Sequence, residues 1–441
     1  MSSVTVRSYT IAESGYQKCS IINLLAKKET VLEKGIRKTF SSLSIRNFRL
    51  FIIGQAISLC GTWMQTIAIS WLVLQLSHSG TILGLAIAAQ FVPVLLFGVW
   101  GGVIADRFNK RRVLFITQSI FGVLALTLGI LVLSHNIDLL EVFIIAVLIG
   151  LVQVVDNPTR QSFVVEMVGT EQVRNAVTLN STMVNVARVI GPSFGGILIA
   201  TVGVGTCFIV NAFTFVAVLI ALFLMHVSEL RTTRPAKREP GQLKAGFKYV
   251  LSEPNLKVTL IMMFIIGTFA YEFPVVFPLF ATHVLHGNAS TYSSMMVATG
   301  IGAVLGGLYA AGHTPRTENP LILIAFIFGV SILLAAFMPT HLLVLVFLVL
   351  VGALSVLFIA IGNTTLQLTS TQEMRGRVMA LWTVAFLGTT PVGGPIIGFI
   401  SDHTNPRIGL AVGGISAVIA AIIAKTMYKP SSHSNEQPRT I

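Results

Sequence analysis

From Arg49 onward the chain alternates long apolar runs with brief polar interruptions, and each run approaches the ~20 residues that an α-helix needs to cross a bilayer. The runs lie at about 49–77, 82–105, 113–134, 139–162, 173–201, 206–227, 256–282, 290–312, 319–338, 342–370, 376–401 and 407–428. The pattern predicts an all-α membrane protein of twelve transmembrane helices. One long polar stretch, Glu229 to Lys257, divides six helices from six. The expected organisation is a basic N-terminal tail (1–47), a first six-helix bundle (48–228), a linker (229–255), a second bundle (256–428) and a short C-terminal tail (429–441). Ile21 to Ile36 in the tail and Gln242 to Leu251 in the linker have enough apolar positions to lie as amphipathic helices on a membrane surface; solvated segments are the plain alternative for both.

Composition agrees with the pattern. Of 441 residues, 54% are hydrophobic and 11% charged, against about 25% charged in an average soluble domain. The net charge of +13 is explained by topology and calls for no nucleic-acid partner. If the basic tail lies inside, the loops on the far side hold a single basic residue, Arg407, and only Arg188 lies within a helix. All other Lys and Arg then face the cytoplasm, with both termini there. Met1 to Tyr16 lack the apolar core of a signal peptide, so the first span is expected to act as an uncleaved signal. Cys19, Cys60 and Cys207 have neither ligand spacing nor a paired pattern, so no metal site is expected.

The stretch Gly101 to Leu114 places Asp106, Arg107, Lys110, Arg111 and Arg112 between two apolar runs. So many charges cannot stay in hydrocarbon, so this is a tight loop at a water face, and its basic density marks that face as cytoplasmic. The halves also repeat one another at a nearly constant offset. Asp156-Asn-Pro-Thr, Arg174-Asn-Ala and Gly191-Pro-Ser-Phe-Gly195 are echoed by Gly362-Asn-Thr-Thr, Arg377-Val-Met and Gly394-Pro-Ile-Ile-Gly398. Parallel repeats of this kind put a substrate path between the halves at mid-membrane.

The six-plus-six arrangement and this first loop resemble the major facilitator superfamily of secondary transporters. The loop signature Gly-x-x-x-Asp-Arg-x-Gly-Arg-Arg is matched by Gly102, Asp106, Arg107, Lys110 and Arg111, with Asn109 where the family prefers Gly. Ala187 to Gly196 resembles the family's exporter signature Gly-x-x-x-Gly-Pro-x-x-Gly-Gly, carried here by Gly191, Pro192, Gly195 and Gly196 with Ala187 at the first position. The eighth helix offers a smooth stripe of Thr299, Gly302 or Ala303, Gly306 and Ala310. The resemblance implies that this stripe meets the fifth helix, seals the central cavity and accompanies proton-driven antiport. It further implies an inner-gate charge network of Asp106, Arg107 and Asp156, with Arg160 one turn away. More narrowly, Asn47-Phe-Arg-Leu-Phe to Gly61-Thr-Trp-Met, Asp156 to Phe163 and Arg174 to Ser181 are similar to the bacterial branch of enterobactin exporters and macrolide efflux proteins.

Few ionisable residues remain inside the spans, and each is costly there. Arg188 lies near the middle of the fifth helix on one stripe with Ser181, Asn185, Pro192 and Gly195; it is the candidate to bind an anionic group or to pair with an acid, with a purely structural tie between helices as the alternative. Glu272 lies in the outer half of the seventh helix, where Pro274 and Pro278 permit bending. A carboxyl there can load and release a proton, which makes it the candidate coupling acid; an acid at a wet outer mouth is the alternative. Asp402 and Glu141 read as markers of outer helix ends. Gln65, Gln90, Gln153, Asn185, Asn363 and Gln367, with Trp63 and Trp382, are candidates to line a mostly apolar cavity, or to tie helices together.

With no nucleophile and base pair, metal cluster or phosphate loop, an enzyme is not expected, nor a cofactor. The expectation is a monomeric inner-membrane exporter of small amphipathic or anionic molecules, powered by the proton gradient. An importer, facilitator or lysophospholipid flippase of the same fold is the first alternative. A receptor or scaffold is the second, and it would need a regulatory domain.

Overall fold

The computed structural model describes residues 41–231, 242–312, 320–371, 373–387 and 389–427. The segment 21–36 and the C-terminal tail lie outside the described residues. Every regular element among the described residues is helical. The first half holds α1 (Arg46–Ser77), α2 (Gly80–Arg107), α3 (Lys110–Leu133), α4 (Leu139–Thr201) and α5 (Val204–Phe223). The second holds α6 (Gln242–Ser252), α7 (Pro254–Phe269), α8 (Phe273–Leu279), a π turn (Phe280–Val284), α9 (Ala289–Gly312), α10 (Pro320–Phe337), α11 (His341–Thr369), α12 (Arg375–Leu387), α13 (Thr390–His403) and α14 (Pro406–Met427).

Eleven helical stretches are long and apolar enough to cross a membrane, with α7 to the π turn as one and α12 with α13 as another. One of the eleven, α4, has 63 residues, or ~95 Å of helix, enough for two crossings. Its two arms, 139–168 and 170–201, are divided at Gly169 (φ 70°, ψ 172°), a conformation open to glycine alone. The loop expected after residue 162 is therefore helical up to that one residue. A side chain at 169 would also strike the Arg231 guanidinium, which packs there while Arg231 N donates to Glu166 O at 2.9 Å.

Local chemistry starts and stops the helices where the pattern places them. Asn109, with extended backbone (φ −62°, ψ 113°), caps α3 by accepting from Arg112 N at 3.1 Å. Glu141, read from the sequence as an outer-mouth residue, reaches back to accept from Asp138 N at 2.9 Å and so helps start α4. The expected amphipathic segment 242–251 is helical.

Within the first half α1 packs on α4 and α5, α2 on α4, and α3 on α5; within the second, α9 packs on α11, and α14 on α7 and α10. Glycine sets several of these contacts. A Cβ at Gly101 would collide with the Val154 carbonyl, and one at Gly150 with the Gln90 carbonyl, so α2 and α4 meet backbone to backbone. Buried apolar clusters fill each half, the first around Phe208 and Leu128, the second around Phe277, Phe328 and Phe358. Apolar side chains such as Phe213, Ile197 and Leu308 are exposed on the outside, the reverse of a soluble core and the surface that lipid covers. The halves meet mainly along α2–α13 and α4–α9.

Candidate functional site

Two crossings of the second half are broken, and the breaks lie together. Between α7 and α8 the chain passes through Ala270, Tyr271 and Glu272, and Glu272 O accepts from both Val275 N and Val276 N at 3.1 Å. Pro274 at the start of α8 supplies no N–H, and it is one source of the bend read from the sequence. Between α12 and α13 the break at Thr389 precedes Pro391; it was not foreseen.

The Glu272 side chain fills the junction. Its residue is 3% exposed, and Oε1 makes no hydrogen bond. A Cβ on Gly393 would come within 3.0 Å of Oε1, and one on Gly394 within 3.4 Å of Oε2. The glycine pair of α13 thus leaves the room that the carboxyl occupies. Gly394 in turn lies against the Gly84 carbonyl of α2, so Glu272 stands where both halves touch. It is a buried acid with a bare oxygen, not the wet outer-mouth residue of the alternative reading.

Arg188 approaches from the 170–201 arm of α4. Its guanidinium carbon lies 4.9 Å from the centre of the Trp63 ring of α1, and its buried Nε has no hydrogen-bond partner. The Tyr271 hydroxyl, next to Glu272, donates to Ser355 O at 2.9 Å. Among the described residues no carboxylate pairs with Arg188, so the tie between helices is a stack on Trp63 rather than a salt bridge. A guanidinium with an unused donor, held on an aromatic face between the halves, can receive an anion.

Of the residues expected at the inner gate, Asp156 lies inside the first half. Asp156 is fully buried and uses both oxygens inside the first half: Oδ1 accepts from Thr117 Oγ1 at 2.7 Å and from Gln118 Nε2 at 2.8 Å, and Oδ2 pairs with Arg160. Lys110 is buried against Glu166 at 2.6 Å, and Arg111 Nε donates to Leu222 O at 2.7 Å, closing the end of α5. Arg107 is exposed and Asp106 half-buried, while Gly102 is buried in the last turns of α2.

The exporter-type motif also divides its contacts. Gly191 and Gly195 face α1, where a Cβ on Gly191 would lie 2.6 Å from that of Trp63, and only Gly196 faces α9, against Ser293. Ser293 Oγ donates to Pro192 O at 2.6 Å, and Gly300 receives the Arg188 carbonyl. The stripe expected to meet this helix turns away: Gly302 and Gly306 pack on Val349 and Ala353 of α11, and Gly352 of α11 on Thr299. Small residues mark a close approach; they do not name the partner helix.

The family of transmembrane secretion effectors matches residues 37–440. The chain belongs to that family. It is 26% identical over 369 residues to the staphyloferrin A transporter of Staphylococcus aureus, which covers 82% of this chain and 91% of that protein. It is 25% identical over 384 residues to the enterobactin exporter EntS of Shigella flexneri, covering 85% and 90%. Among solved structures it shares a fold with a bacterial homologue of the human lysosomal transporter Spinster, inward-facing and occupied, at TM-score 0.69 and 15% identity over 87% of this chain and 97% of that one. A D-xylose–proton symporter matches at TM-score 0.69 and 13% identity, over 87% and 98%. The protein is therefore a multi-pass membrane transporter of the major facilitator type, and not an enzyme.

In this secretion effector the predicted cavity residues take several places. Gln65 Oε1 accepts from Asn211 Nδ2 at 2.5 Å, a tie between α1 and α5. Gln367 Nε2 donates to Asn363 Oδ1 at 2.6 Å along α11. Asn185 is half-buried, its amide nitrogen facing Gly307 of the other half, and Gln90 and Gln153 are half-buried in α2 and α4. Trp382 is buried over Gly362. Asp402, read as a mere helix-end marker, proves to bind the other half: it accepts from Ser79 Oγ, Gly80 N, Thr81 N and Thr81 Oγ1, all within 2.6 to 2.8 Å. No local signal in the sequence joins it to residues more than 320 positions away.

Proposed function

We propose that this transmembrane secretion effector is a proton-driven exporter of small anionic or amphipathic molecules, working as a monomer by alternating access in the bacterial inner membrane with both termini in the cytoplasm. The observation that carries the reading is Glu272: a buried carboxyl with one oxygen unpartnered, between two broken helices, on the contact between the halves. A group so placed can take up a proton from one side and lose it to the other as the contact opens and closes. Arg188 on Trp63 supports an anionic cargo, with the apolar walls of the halves holding its remainder. The relatives named as a staphyloferrin A transporter and an enterobactin exporter support efflux and a cargo of that chemical kind. The basic loop supports the orientation.

The test uses inside-out vesicles energised by respiration and challenged with siderophores, macrolides and cationic dyes while internal pH is followed. Partial collapse of the gradient on adding a siderophore, absent in vesicles lacking the protein, is the expected result. No collapse with any compound, in vesicles shown to contain folded protein, would contradict the antiport reading and favour a facilitator.

A further inference from the structure

One edge of the molecule carries a continuous seam between the halves. Beginning at the end away from the basic loop, Asp402 in the last turn of α13 accepts two backbone N–H groups and two hydroxyls from the first residues of α2. The backbone donors, Gly80 N and Thr81 N, belong to the first turn of α2, whose N–H groups have no partner within the helix. One turn inward, a Cβ on Gly80 would lie 3.1 Å from the Gly398 carbonyl. One turn further, Gly84 and Gly394 touch in the same way, and beneath Gly394 lies the Glu272 carboxyl. The seam thus runs from an acid with four donors to one with an unpartnered oxygen.

Its construction suits repeated opening. Glycine faces glycine over two turns, so the helices can part with few interlocked side chains to disengage. The Asp402 residue itself is exposed, so water can replace its four donors when it leaves. Asp402 and the α2 start lie in different halves, so their contact breaks in any motion that separates the halves at this end.

We propose that Asp402 is a gating residue: capping the start of α2 from the opposite half, it latches the α2–α13 seam, and release of that latch opens the path at the end away from the basic loop. The proposal rests on the alternating-access reading above. It does not require protons or any particular cargo.

The test measures distances between spin labels at Leu140 and Leu342, both exposed at that end and on opposite halves, in the full chain in lipid nanodiscs. A control pair, Leu140 with Val202, lies within the first half. Removing a helix cap is worth ~1 kcal/mol, so Asp402→Ala is expected to raise the ratio of separated to closed molecules about fivefold, with the control pair fixed. Thr81→Val removes one hydroxyl donor and leaves every backbone group; a rise of about twofold is expected, by the same scale. Unchanged ratios in both variants overturn the latch. Because distances are read without transport, a shift in a protein that fails proton-driven export keeps the latch and removes the exporter reading.

Discussion

Asp156 and Glu272 are both acids buried in apolar helices, yet they are built for opposite ends. Asp156 has two polar neighbours on α3 and an arginine one turn away, so its charge is satisfied at every lone pair the geometry serves. Glu272 has glycines around it and an oxygen with no donor. A buried acid that is fully bonded holds helices in place, and its removal leaves partners stranded. A buried acid that is left bare is held by the surrounding fold at some cost, and such positions are kept where the group must change state. The contrast separates an acid bonded on both oxygens from one with an oxygen left unpartnered.

The largest expected effect tests the scaffold side. Asp156→Ala leaves Arg160, Thr117 and Gln118 without their common acceptor, and should cost about 2 to 3 kcal/mol, read as a drop in unfolding midpoint of the purified protein. Gly393→Ala drives a methyl group against the Thr268 carbonyl and the Glu272 carboxyl, and a loss of about 1 to 3 kcal/mol is expected in the same assay. On the mechanistic side, Arg188→Ala should weaken cargo binding about tenfold, read by titration of the purified transporter, with little change in unfolding midpoint. The smallest stability effect belongs to Glu272→Gln, within about 0.5 kcal/mol of the parent, because no described donor loses a bond to Oε1. A midpoint drop as large as that of Asp156→Ala would erase the contrast.

Much of this was legible beforehand. Twelve crossings followed from runs of apolar residues, because a bilayer imposes one length on every one of them. Glu272 and Arg188 stood out because charge is rare inside such runs. What stayed hidden were partners. Gly302 and Gly306 announced a close approach, yet whether they meet α4 or α11 depends on how α9 is rotated, and the answer was α11. Asp156 carried no sign that Thr117 and Gln118 would face it, since polar residues on a separate helix are paired only by packing. The chain after residue 162 stayed helical because Gly169 alone makes the break, without the run of turn residues that would mark a loop. Asp402 was hidden for the most general reason: a cap supplied from another domain leaves no local pattern.

Glu272 is proposed to carry the proton that drives transport. It is tested most directly in proteoliposomes holding the parent protein or Glu272→Gln, with labelled siderophore followed under two conditions, an imposed proton gradient and equal pH with cargo on both sides. The variant is expected still to exchange cargo at equal pH and no longer to accumulate it against a concentration difference when the gradient is applied. Uphill accumulation by Glu272→Gln at the parent rate would contradict it.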